Sequence, residues 1–137
     1  MRRGISVIGI LVVMTCVVPD VFAVIPIPAR IGGAIKVNDN QLAQADAVGY
    51  RVTVTKQDGT PYSPTAETTG LNATNWYTVD IPLYDADDQP SGAQEGEVAV
   101  IHVFSGETEL TVDSPVNSQI TVGASGIATR IDIVVHD

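Results

Sequence analysis

Cysteine is almost missing from this chain: Cys16 is the one thiol in 137 residues. That excludes a disulfide framework, and with it a metal centre built on several thiolates. Aromatic residues are also scarce at 5%, with Trp76 the single tryptophan. From residue 24 onward there are four leucines against 24 valines and isoleucines, and no window keeps a 3.6-residue apolar period. A helical bundle is therefore excluded, because β-branched side chains are stiff at χ1 and pack best on a pleated surface. Basic residues are few. Beyond residue 23 there are five, Arg30, Lys36, Arg51, Lys56 and Arg130, against 15 acidic ones, a net charge of −10. Phosphate backbones and anionic lipid surfaces repel such a chain, so nucleic-acid binding is not expected.

What the N-terminus does have is an export pattern. Arg2 and Arg3 precede an apolar run from Ile5 to Val18, and Val21-Phe22-Ala23 places small residues at the −3 and −1 positions of a cleavage site. This order reads as a signal peptide over residues 1–23. The run is shorter than the ~20 apolar residues of a spanning helix, so stable membrane insertion after cleavage is not expected. A lipoprotein would use Cys16, but Thr15 is larger than the residue such sites carry. The expected product is residues 24–137, secreted or held in the cell envelope. It divides into an extended arm at 24–30 and one domain at 31–137, a size that supports a core without disulfides.

Period-two alternation marks the strands. Ile31, Gly33, Ile35 and Val37 share a face; Tyr50, Val52 and Val54 alternate with Arg51, Thr53 and Thr55. Tyr77, Val79, Ile81 and Leu83 alternate with Thr78 and Asp80, and Leu110 and Val112 with Glu109 and Thr111. Ile127 to Val135 reads as one closing strand, and Val98 to Phe104 as a central strand covered on both faces or lying at a partner interface. Asp58-Gly59 and Ser105-Gly106 are hairpin dipeptides. Residues 41–49 allow one helical turn. The fold class predicted is all-β: a single immunoglobulin-like or transthyretin-like β-sandwich of about seven strands.

The segments GGAIKVNDNQLAQADAVGYRVTVTKQDGTPYS, NWYTVDIPL, EGEVAVIHVFSGETELTV and ASGIATRIDIVV together resemble the strand order of transthyretin-like and carboxypeptidase-regulatory-like β-sandwich modules. Trp76 departs from the small turn residue expected there, and the loop at 85–96 is long. The resemblance implies a non-catalytic module for adhesion, scaffolding or ligand binding, and carries no catalytic residues over.

The candidate chemistry is limited. Asp85, Asp87 and Asp88 lie in an acidic loop, and carboxylates at such spacing are candidate ligands for calcium, although the Gly and Glu of an EF-hand loop are missing. The competing reading is a solvated loop that favours solubility. No cofactor besides calcium is expected. Trp76, Tyr62 and Tyr84 are candidate ligand contacts, since flat rings near turns suit a glycan. His102 stands alone in an apolar strand, and His136 is next to the C-terminus. Gly123-Ala124-Ser125-Gly126 lacks the spacing of a nucleophile elbow. With no nucleophile–base pair in view, catalysis is not expected. Asn72-Ala73-Thr74 matches a glycosylation sequon that occurs by chance in many chains.

The arm Val24-Ile25-Pro26-Ile27-Pro28 is apolar but cannot be helical, because prolines at alternate positions hold it extended. Two readings stand open: an edge strand on its own domain, or a segment donated to another subunit. The function expected is a secreted, non-catalytic module that binds a protein or a glycan. The alternative is a homo-oligomeric structural subunit, of fibre or surface layer, joined through the arm.

Overall fold

A computed structural model describes residues 24–43, 45–69, 71 and 75–137. The segment read as a signal peptide, with Cys16, and the sequon at 72–74 lie outside the described residues. Ten strands form one curled, mixed sheet: β1 (Ala29–Val37), β2 (Asn40–Gln41), β3 (Tyr50–Lys56), β4 (Pro61–Thr69), β5 (Trp76–Ile81), β6 (Val98–Ser105), β7 (Thr108–Ser114), β8 (Gln119–Thr121), β9 (Ala128–Arg130) and β10 (Ile133–His136). No α-helix occurs among the described residues. The turn foreseen in 41–49 is a single 3-10 turn, Ala47–Gly49.

β1 organises the sheet. Its first half pairs antiparallel with β5 (Ile31 opposite Val79) and parallel with β9 (Ile31 opposite Thr129). Its second half pairs parallel with β10 (Ile35 opposite Ile133) and antiparallel with β2 (Lys36 opposite Gln41). The strand is thus hydrogen-bonded on both edges along most of its length. β10 leads to β7, β7 to β6, β6 to β3, and β3 to β4. β8 continues the edge of β6 that β7 leaves free, with Ala99 opposite Ile120.

The alternation read from the sequence describes the core correctly. Ala29, Ile31 and Ile35 of β1, Tyr77, Val79 and Ile81 of β5, and Ile133 and Val135 of β10 are buried. They join Val52 and Val54 of β3, Ala66 of β4, and Ala99, Ile101 and Val103 of β6 in one cluster. β5 packs against β3 and β4 without hydrogen-bonding to either, so the curl brings the two ends of the sheet face to face. Each buried Ile or Val contributes about 1.5–3 kcal/mol of transfer free energy. The two hairpin dipeptides are turns as expected, and β1 reaches β2 through Asn38 and Asp39, both at positive φ (50° and 63°).

Four differences from the sequence expectation have physical causes. β4 carries Pro61 and Pro64 and little apolar alternation, and it is an edge strand paired only with β3, where proline is tolerated. β6 is central but alternates: Ala99, Ile101 and Val103 are buried, whereas Val100, His102 and Phe104 are only half-buried on the outer face. Asn75, at φ 57° and with its Nδ2 donating to the Ile35 carbonyl, supplies the turn geometry one residue before Trp76. Finally, the run from Ile127 to Val135 is two strands rather than one.

The break falls at Ile131 and Asp132. A Cβ on Gly33 would lie 2.1 Å from the Ile131 carbonyl oxygen, so glycine is what lets the chain pass there. The Ile131 amide donates to Gly32 O (2.9 Å), and the Ala34 amide donates to Asp132 Oδ1 (3.0 Å). A side-chain carboxylate thus replaces the backbone acceptor that an unbroken ladder would give Ala34. Gly33→Ala is expected to cost at least about 2 kcal/mol, since backbone rather than a flexible side chain must move. Gly49→Ala, which meets nothing within 4 Å, should stay within about 0.5 kcal/mol. Urea unfolding midpoints check this, and equal midpoints for the two variants would contradict the close approach.

Candidate functional site

A cleft of about 360 Å³ lies beside the strand break, on the outer face of β1 and β10. Its floor is a single row across four strands. Gln41 of β2 lies opposite Lys36 of β1, Lys36 opposite Val134 of β10, and Val134 opposite Ser114 of β7. One pleat step along, Ala34 keeps the floor low, and Arg130 and Asp132, on either side of Ile131, form the rim.

The rim is held in place. Arg130 Nε and Nη2 donate to the Asp132 carboxylate at 3.0–3.3 Å. The Arg130 guanidinium also lies over the Trp76 ring, 5.0 Å from its centroid. Trp76 and Arg130 sit on strands that flank β1, opposite Ala34 and Gly32 respectively. They meet across β1 because Gly32 has no side chain, and a Cβ there would lie 2.9 Å from the indole nitrogen. Hydrogen bonds from Arg130, and then from the Ala34 amide, hold the Asp132 carboxyl below the usual carboxylate range. The rim carboxylate is therefore ionised at neutral pH, and the cleft residues Lys36, Arg130 and Asp132 sum to one positive charge in an acidic chain.

The three candidate aromatics do not converge. Trp76 is half-buried beneath Arg130. Tyr62 is only 2% exposed, and its hydroxyl donates to Glu97 Oε1 (2.6 Å), with Lys56 Nζ 5.8 Å from the ring centroid. Tyr84 is exposed. The acidic loop is closed by its own hydrogen bonds. Asp85 Oδ1 accepts from the amides of Asp87 (2.9 Å) and Asp88 (3.0 Å), and the Asp85 and Gln89 backbones pair. The amides of Asp88 and then Asp87 lower the Asp85 carboxyl below its ordinary range. Among the described residues no three His, Cys, Asp or Glu side chains gather as a metal site requires.

His102 has partners that the sequence reading missed. Its Nδ1 is 2.6 Å from Glu109 Oε1 on β7, and its Nε2 is 3.0 Å from Thr55 Oγ1 on β3. The order hydroxyl, imidazole, carboxylate is that of a hydrolase triad, but the details differ. The Thr55 hydroxyl is also 3.0 Å from the Lys56 carbonyl, so the imidazole is not its sole partner. His136 Nδ1 makes a matching contact with Asp113 Oδ2 (2.6 Å), so β7 is tied by a histidine on each side. The i, i+4 spacing of Glu109 and Asp113 was visible in the sequence, but pairing them with histidines needed the register of β6 and β10.

No helix among the described residues is long and apolar enough to cross a membrane. No protein-family profile matches the chain, and neither a curated protein nor a solved structure is significantly similar to it.

Burial raises the Tyr62 hydroxyl, with Glu97 adding to the effect, and burial likewise raises Tyr77, whose hydroxyl donates to the Ile131 carbonyl (2.7 Å). Both hold their protons in the folded state above the ordinary tyrosine value of about 10. Stability is thus fully present below about pH 10 and lost as pH rises beyond it, because the unfolded chain releases these protons first. Urea unfolding between neutral pH and pH 11 should show that loss, and the Tyr62→Phe/Tyr77→Phe variant should show a shallower alkaline limb. Identical limbs would contradict the assignment.

Proposed function

We propose that this chain is an exported, non-catalytic interaction module whose curled sheet closes as a β-sandwich of the immunoglobulin-like or transthyretin-like kind. The reading that residues 1–23 direct export comes from the basic, apolar and small-residue order of that segment. The sandwich reading is supported by the face-to-face packing of β5 on β3 and β4.

One observation carries the interaction reading: apolar side chains stand exposed together at one end of the sheet. Val24, Ile25 and Ile27 of the arm are 82%, 59% and 66% exposed, and Ile127 is 54% exposed. They are neighbours. Ser125 Oγ donates to Ile27 O (2.9 Å), the Gly126 amide donates to Pro28 O (3.3 Å), and the Arg30 amide donates to Ile127 O (3.0 Å). The root of the arm is fastened to the 124–127 turn while its apolar side chains face water. A clustered apolar surface of this kind marks a contact site. An extended segment presented in advance binds with less ordering cost.

The alternative is that the contact is with a second copy, as in a fibre or surface-layer subunit. The exposed, proline-held arm favours it to the extent that such a segment can lie along another subunit.

Deletion of residues 24–27 tests the reading. The thermal midpoint should move by no more than about 3 °C, because exposed residues contribute little burial. A collapse of the midpoint would make the arm an edge strand of its own domain and end this proposal. Light scattering across a concentration series then separates the partners. A mass that rises with concentration and falls back to the monomer on truncation identifies a second copy. A monomer in both cases excludes the second copy and leaves a different protein or a glycan as the partner. Terminal sequencing of the exported product should begin at Val24, and a product that keeps residues 1–23 would contradict the cleavage.

A further inference from the structure

We infer that the cleft beside the strand break is a binding site for a carboxylate-bearing sugar of the uronate class. The strongest observation is Lys36. Among the described residues, Arg30 is paired with Asp80, Arg51 with Glu67 and the Phe104 ring, Lys56 lies over Tyr62, and Arg130 is paired with Asp132. Lys36 is the one cation among them with neither a carboxylate within ion-pair distance nor an aromatic face, and it lines the cleft. Lys36 is near enough to Asp132 to help lower its carboxyl, but makes no ion pair with it, so its ammonium stays available to a ligand carboxylate.

The polar groups around it are also uncommitted. The side chains of Gln41 and Ser114 have no hydrogen-bond partner among the described residues, and both lie in the same cross-strand row as Lys36. Gln41 offers a donor and an acceptor, Ser114 a hydroxyl, and the Asp132 carboxylate has lone pairs beyond those used by Arg130 and Ala34. A uronate fits this set. Its carboxylate meets Lys36, its hydroxyls meet the amide, hydroxyl and carboxylate, and its apolar ring face rests on Ala34 and Val134. The volume is at the lower end of the range for small-ligand pockets.

An acidic peptide fits less well. Extended peptides bind by adding to a free strand edge, and here β1 is paired with β2 and β10 on both sides of Lys36. At Lys36 itself the cleft therefore offers side chains and no open ladder on β1. The site is also separate from the exposed arm, so it stands or falls independently of the interaction proposed there.

Trp76, the only tryptophan, lies one side chain away under Arg130, so its fluorescence reports on the cleft. The folded chain of residues 24–137, labelled with ¹⁵N, is titrated with galacturonate and glucuronate, with galactose and glucose, and with a triglutamate peptide. The expected result is saturable movement of the Lys36 and Gln41 amides by a uronate, together with a change in indole emission. The matching neutral sugar should bind about 10-fold or more weaker. Lys36→Gln, at an exposed position, should keep its thermal midpoint and lose about 10-fold in uronate affinity. A uronate that moves no cleft amide up to about 50 mM overturns the proposal, being weaker than any useful affinity. Equal binding of the neutral sugar, unchanged binding by Lys36→Gln, or tighter binding of triglutamate would each overturn it as well.

Discussion

The pairing of β1 on both of its edges is the constraint on which the rest of the structure depends. Nine residues satisfy hydrogen bonds to four other strands, antiparallel on the side of β5 and β2 and parallel on the side of β9 and β10. β9 and β10 keep one register along β1 (Arg30 opposite Ala128, Ile35 opposite Ile133), and the ladder is interrupted between them at Ile131 and Asp132, a step in the hydrogen bonding. Gly33 leaves room for the carbonyl of Ile131, and the Asp132 carboxylate serves the amide of Ala34 that the step deprives of a backbone acceptor. The carboxylate is thus part of the ladder as well as part of the surface.

The same step shapes the outer surface. Asp132 receives Arg130 as well as Ala34, Arg130 is laid across Gly32 onto Trp76, and the small side chain of Ala34 leaves a hollow in front of Lys36. Elsewhere the outer face is closed by its own pairs: Arg51 over Phe104, His102 on Glu109, His136 on Asp113. The acidic loop at 85–88 is likewise absorbed in its own turn. The hollow at Lys36 and the apolar end at the arm are two open surfaces of different chemistry on one sheet.

Much of this fold was legible in the residue pattern. The period-two alternation marked the buried set of β1, β3, β5 and β7 with the correct phase, because a one-residue slip would bury Lys36, Arg51 and Asp80. β4 was not legible, since its prolines and threonines carry no apolar alternation, and β2 and β8 are too short to show one. The parallel pairing was not legible either: Ile127 to Val135 alternates like a single strand, and only the three-dimensional step at Asp132 divides it. The candidate site was legible in part. Trp76 is out of phase with the buried residues of its strand and does lie on the outer side, but its cover, Arg130, comes from a strand more than 50 residues away. Tyr62 was misleading because a tyrosine beside a turn reads the same whether its ring is inside or outside. Lys36 carried no signal of its own, since an isolated lysine on a strand is common, and its importance comes from the charges that every other cation has met.

The pH titration of the Ala34 amide proton by NMR tests the role of Asp132 most directly. If the Asp132 carboxylate replaces a backbone acceptor there, that proton should lie downfield and should move upfield as the carboxylate is protonated, with a midpoint below the ordinary aspartate value of about 3.9. An Ala34 amide whose shift is independent of pH, or which follows an unperturbed carboxyl group, would show that Asp132 does not close the ladder, and that neither the strand break nor the cleft owes its shape to this carboxylate.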